Sequence, residues 1–128
     1  MTKLIMIIIG AGLGALLRYA IAVIAGKYFG ALFPVGTLLV NFIGCFLIGV
    51  SITMADRTQL LSPTVRLFFL TGFLGSLTTF STYALETFQA ARNGSGLVAS
   101  LNVAANNIGG IFLVFIGMWL TQVLLQGK

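Results

Sequence analysis

Nine charged residues punctuate this 128-residue chain, and their spacing is what most limits its fold. Lys3, Arg18, Lys27, Asp56, Arg57, Arg66, Glu86, Arg92 and Lys128 bound uncharged runs at 4–17, 28–55, 67–85 and 93–127. A helix needs about 20 mainly apolar residues to cross the hydrocarbon of a bilayer. Three runs are long enough alone, and the first becomes so when Arg18 is taken inside it, giving 4–26. The pattern predicts an all-α integral membrane protein, a single transmembrane domain over 1–128. Its spans fall near 4–26, 34–55, 65–91 and 96–126. The last is long for one crossing, so it tilts or its first turns lie at the interface. Only 7% of the residues are charged, against roughly 25% in soluble domains, too few to cover a water-soluble surface.

The first segment also has the outline of a secretory signal. Lys3 is a short basic region, 4–17 an apolar one, and Ala20-Ile21-Ala22 imitates a cleavage site. Arg18 interrupts just before that site and the apolar pattern resumes after it, which favours a retained span. The connections are short, at 26–34, 56–63 and 92–96, and Pro63 is well placed to start a helix. Four spans put both termini on one side, with Lys3, Arg57, Arg66 and Lys128; Lys27 and Arg92 lie on the other. Positive charge marks the cytoplasmic side, but four against two is a weak bias. It is compatible with a single orientation, termini in the cytoplasm, and with insertion in both orientations.

Several function classes are excluded early. The chain has no histidine and one cysteine, Cys45, so it cannot close an internal disulfide or assemble a transition-metal site alone. The histidine-based nucleophile triads are unavailable and no phosphate-binding loop is present, so no enzyme is expected. The net charge of +5 is scattered over helix ends rather than gathered in a stripe, which argues against a nucleic-acid partner. The partner such residues fit is the lipid bilayer, as interfacial anchors.

Polar groups within the spans are costly and therefore informative. Arg18 lies about four turns into its helix, from where it snorkels to the interface, draws anions toward a pathway, or does both. Asn41 bridges helices or donates its amide to a permeating ion, and Asn102, Asn106 and Asn107 pose the same choice. Gly10 and Gly14, with Ala11 and Ala15, form a small-residue face suited to close helix contact. Four helices enclose little volume, so an oligomer is expected.

The third span is the unusual one. Gly72 and Gly75 precede "SLTT", and hydroxyls that bond back to carbonyls bend helices. A break near 75–79 is expected, and freed carbonyls inside a membrane suit a small cation such as Na⁺. Beyond the break, Phe80 and Tyr83 share a face bordered by Ser81, Thr82 and Glu86, so rings and hydroxyls are expected along one stripe.

The segments "GAGLGALLRY" (10–19), "GTLLVNFIG" (36–44) and "TGFLGSLTTFSTYALET" (71–87) closely resemble the Fluc/CrcB family of bacterial fluoride channels. They occur in the family's order, in three of the four predicted spans; the fourth span and the termini carry less of the likeness. The resemblance implies an antiparallel, dual-topology homodimer with two fluoride pores. It implies a structural Na⁺ on the two-fold axis, held by the backbone carbonyls of Gly75 and Thr78. It places Phe80 and Tyr83 on the pore through their ring edges, Asn41 at the inner end of a vestibule, and Arg18 at the family's helix-one arginine. The implied role is passive, fluoride-selective export that resists fluoride toxicity, in the bacterial cytoplasmic (inner) membrane. The chain departs from the family at Tyr83-Ala84, where Phe-Ser is usual. The added hydroxyl is a new donor or a new obstruction, and any hydrogen bond lost at Ala84 falls to Ser81, Thr82 or Glu86.

This assignment makes physical sense. A dry pore must replace fluoride's water with O–H and N–H donors and with the positive edges of rings, yet bind weakly enough to release the ion. Glu86 is awkward beside an anion, so it is expected protonated or hydrogen-bonded to nearby hydroxyls, bordering the pore. The rival from another class is a small dual-topology multidrug exporter, which needs an acid in its first helix where this chain has Arg18. A non-conducting subunit of a larger complex would leave the polar, broken third span without a purpose.

Overall fold

The computed structural model describes residues 1–30, 32–58 and 62–126. Lys128, counted above with the terminal-side charges, lies outside the described residues, as do parts of the first two connections. The described residues contain helices and no strand. Four segments are long and apolar enough to cross a membrane: Thr2–Phe29, Val35–Arg57, Pro63–Arg92 and Gly96–Gln126. Their outward faces carry Ile8, Leu16, Ile24, Ile108, Phe112 and Phe115, all well exposed. Helices apolar on all sides with so little buried are made for lipid, and the protein is a multi-pass membrane protein.

Local chemistry sets the ends. The first span stops at Gly30, whose φ of 71° suits a residue without a Cβ. The third starts at Pro63 behind Ser62, whose Oγ accepts from the Val65 N–H at 3.4 Å. Arg66 Nη2 donates to the Ala55 carbonyl at 2.5 Å, tying this start to the end of the second span. A turn with Gly94 at φ 78° joins the third span to the fourth.

Small residues decide which helices meet. Gly10 and Gly14 lie against the Phe68 and Phe73 carbonyls of the third span, where a Cβ would collide with backbone. The small face of the first span is thus used within the protomer. That stretch of the third span, Leu67–Leu74, is π-helical. The second and fourth spans lock reciprocally: Gly49 faces the Val114 carbonyl and Gly117 faces the Phe46 carbonyl. The buried core of Val40, Leu74 and Leu77 sits at the break in the third span, with Phe69, Leu70 and Phe73 around it.

Candidate functional site

The third span is helical through Gly75–Leu77, extended at Thr78 and Thr79, and helical again over Phe80–Arg92. Gly75 keeps right-handed helical angles (φ −62°, ψ −28°), so the threonines make the break. Thr78 Oγ1 donates back to the Leu74 carbonyl at 3.1 Å, and its methyl fits against Gly44, where a Cβ would strike it. Thr79 caps the second half: its Oγ1 accepts from the Thr82 N–H at 3.2 Å.

Asn41 completes the break from the second span. Its Oδ1 accepts from the Thr79 N–H at 2.9 Å, and its Nδ2 donates to the Thr79 carbonyl at 3.3 Å. One carboxamide therefore meets both backbone polar groups of Thr79, whose N–H the break leaves without a helical acceptor. Its other hydrogen goes to Asn106 Oδ1 at 2.8 Å. Asn106 in turn donates to Asn102 Oδ1 at 2.8 Å, and Asn102 to Thr87 Oγ1 at 2.8 Å. Thr87 closes the series on the Tyr83 carbonyl at 2.8 Å. Asn102, with no exposed surface, is buried only because each polar atom has a partner.

These bonds decide which carbonyls are freed. In an unbroken helix the Thr79 N–H would bond the Gly75 carbonyl, but it is taken by Asn41. The Thr82 N–H would bond the Thr78 carbonyl, but it is taken by Thr79 Oγ1. The two oxygens expected to hold Na⁺ are those whose helical donors are diverted, and backbone oxygen suits a hard cation. Gly75 is exposed. Among the described residues no cluster of His, Cys, Asp and Glu could hold a metal.

The remaining site residues divide among three spaces. A cavity of about 400 Å³ is lined by Asn41, Gly75, Thr78, Phe80, Tyr83 and Asn107, among others. Phe80 and Tyr83 meet there edge to face, centroids 5.4 Å apart and planes at 65°. A second cavity, about 240 Å³, gathers Arg18, Thr37, Thr79 and Thr82. A third, about 480 Å³, holds Thr37, Glu86 and Gln89 between the second and third spans. The single stripe expected from spacing is thus two faces. Phe80 and Tyr83 look one way; Thr82 and Glu86, four residues apart, look another. Ser81 is exposed, its Oγ 3.4 Å from Thr79 Oγ1. Glu86 Oε1 accepts from the Thr37 hydroxyl at 2.8 Å, not from its own helix, while Oε2 is buried without a partner among the described residues.

The fourth span supplies what spacing alone undervalued. Ala105–Gly109 is π-helical, and this wider turn lets the consecutive Asn106 and Asn107 both reach the site. Asn106 meets Asn41, and Asn107 Nδ2 donates to the Tyr83 hydroxyl at 3.0 Å. Thr37, Thr79 and Thr87 gained their places the same way, through partners far off in sequence.

The sequence profile described as "CrcB-like protein, Camphor Resistance (CrcB)" matches residues 5–118. The chain belongs to the CrcB family. Among CrcB-family relatives, the protein named "Fluoride-specific ion channel FluC" from Roseiflexus sp. (strain RS-1) is 43% identical over 122 residues, covering 95% of this chain and 98% of that protein. The proteins of the same name from Geobacter sp. (strain M21) and Acidobacterium capsulatum are 39% and 42% identical, over 97% and 91% of this chain and 100% and 93% of their own lengths. All three are named as ion channels, not as enzymes.

The Thr79 hydroxyl gives a first test of this CrcB-family site. Thr79→Val is expected to cost about 1 kcal/mol, the usual worth of an N-cap. It should also return the Thr82 N–H to the Thr78 carbonyl, reducing any stabilisation of the protein by Na⁺. Thermal melts in sodium and in N-methylglucamine buffers would measure both effects; unchanged melting in both would contradict the assigned cap.

Proposed function

We propose that this chain forms a fluoride-selective channel that lets fluoride leave the cell passively, in the cytoplasmic membrane of a bacterium. The supporting observation is the broken third span, whose Asn41-braced break adjoins the Phe80–Tyr83 edge pair in one cavity. The names of relatives about 40% identical over nearly their whole length support the same ion. Weak-acid HF enters and dissociates inside, so an anion leak suffices to lower cytoplasmic fluoride.

The working unit in this reading is an antiparallel homodimer with two pores. Gly75, Ser81, Thr82 and Asn107 are exposed on the protomer within spans, and polar groups there are costly against lipid. A second copy related by inversion of topology would cover them, and the weak charge bias permits both insertions. The Gly75 and Thr78 carbonyls of both copies would hold a central Na⁺, which supplies fixed positive charge. Arg18, beside Thr37, Thr79 and Thr82, raises local anion concentration. Phe80 and Tyr83 offer ring edges to the ion, Ser81 and Thr82 offer hydroxyls, and Glu86 borders the path while bonded to Thr37. Asn41 shapes the path by fixing the Thr79 peptide.

Purified protein in liposomes, loaded with fluoride or chloride and read with ion-selective electrodes, tests the proposal. Fast fluoride release with chloride retained is the expected result. No fluoride release from liposomes that contain folded protein would overturn it. Crosslinking across the Gly75 face tests the dimer separately.

A further inference from the structure

We propose that the Tyr83 hydroxyl is a hydrogen-bond donor to an anion in the 400 Å³ cavity, with Asn107 as its positioning residue. The inference rests on the channel reading and deepens it, since it assigns a contact beyond the ring edges.

The direction of the hydrogen bonds carries this assignment. Asn107 Nδ2 donates to the Val103 carbonyl at 2.8 Å and to the Tyr83 hydroxyl at 3.0 Å. A carbonyl cannot donate, so the atom facing Val103 must be the nitrogen, and the carboxamide cannot be flipped. The Tyr83 oxygen is therefore an acceptor toward Asn107. Its own proton must point elsewhere, and no acceptor for it lies among the described residues.

Tyr83 is only 9% exposed and lines the cavity together with Asn41, Thr78, Phe80 and Asn107. The amide hydrogens of Asn41 and of Asn107 are already given away. Thr78 donates its hydroxyl proton to the Leu74 carbonyl. Among these groups, the uncommitted O–H of the cavity is that of Tyr83. A buried hydroxyl that receives one hydrogen bond is polarised and donates its own proton more strongly. The ligand it fits is a small anion with high charge density. Phe80, paired edge to face with Tyr83 at 5.4 Å between centroids, lines the same space.

Two variants and one spectrum test this. Tyr83→Phe keeps the ring and removes only the hydroxyl. It should raise the fluoride concentration for half-maximal flux about tenfold, the scale of one hydrogen bond to an ion. Asn107→Leu should shift it in the same direction by less, and the double variant should match Tyr83→Phe, because Asn107 acts through Tyr83. In protein carrying ¹³Cζ-tyrosine, the Tyr83 resonance, assigned by its loss in Tyr83→Phe, should move on titration with fluoride and stay put with chloride.

A Tyr83→Phe protein with unchanged half-saturation, or with faster flux, would overturn the proposal; the second result would make the hydroxyl an obstruction. A resonance that ignores fluoride would overturn it as well. If the resonance moves while no flux is seen, the donor assignment stands and the channel reading fails.

Discussion

Asn41→Ala is expected to abolish fluoride efflux while also destabilising the protein. The alanine leaves two polar groups without their partner, the Thr79 N–H and Asn106 Oδ1, bonded at 2.9 and 2.8 Å, and takes a second donor at 3.3 Å from the Thr79 carbonyl, which still caps Phe80–Arg92. Each buried group left unsatisfied costs about 1–3 kcal/mol. The Thr79 peptide would relax toward a helical bond with Gly75, closing the break that shapes the cavity. A loss of efflux on the order of 100-fold is the scale at which small misplacements of positioning groups tell. The double variant Asn41→Ala, Asn106→Ala separates bracing from general damage. Removing Asn106 as well deletes one orphaned acceptor, so the two losses should fall short of additivity by about 1 kcal/mol. Strict additivity in thermal or denaturant unfolding would mean that the Asn41–Asn106 bond carries no energy.

Gly117→Val is expected to prevent folding altogether. A Cβ at 117 would strike the Phe46 carbonyl and crowd the Val50 amide, and these are backbone atoms that no rotamer change can move aside. The reciprocal contact of Gly49 with Val114 means the second and fourth spans cannot slide apart locally. Overpacking costs about 1–3 kcal/mol even where side chains can yield, so a branched residue against backbone falls at or beyond that range. In lipid, close van der Waals packing is a main source of helix association, and a widened pair loses it along its length. The measurement is the yield of monodisperse protein by size-exclusion chromatography. Gly96→Ala is the control, because a Cβ there meets nothing within 4 Å. Well-folded Gly117→Val protein would show that this contact does not set the helix spacing.

The sequence by itself determined the four spans and placed the break within 75–79. In a membrane the cost of charge and of unpaired backbone is counted residue by residue, so uncharged runs mark spans without knowledge of neighbours. The hydroxyl run at Thr78–Thr79 is a local signal too, since back-bonding and capping act within a turn. What only tertiary structure decided is which group satisfies which. Asn41 was legible as either a bridge or an ion donor; the packing commits both its hydrogens to bridging, across 38 and 65 residues of sequence. Glu86 was expected protonated or hydrogen-bonded to hydroxyls; the structure gives it a hydroxyl partner and shows that it is Thr37, from another span. The Gly10–Gly14 face was legible as a contact surface, but not that the third span would occupy it. The π-helical turn that brings Asn106 and Asn107 to one site is likewise invisible to a period of 3.6. Partner identity depends on how helices are placed against each other, and a helical pattern fixes only the face each residue lies on, not what that face will meet.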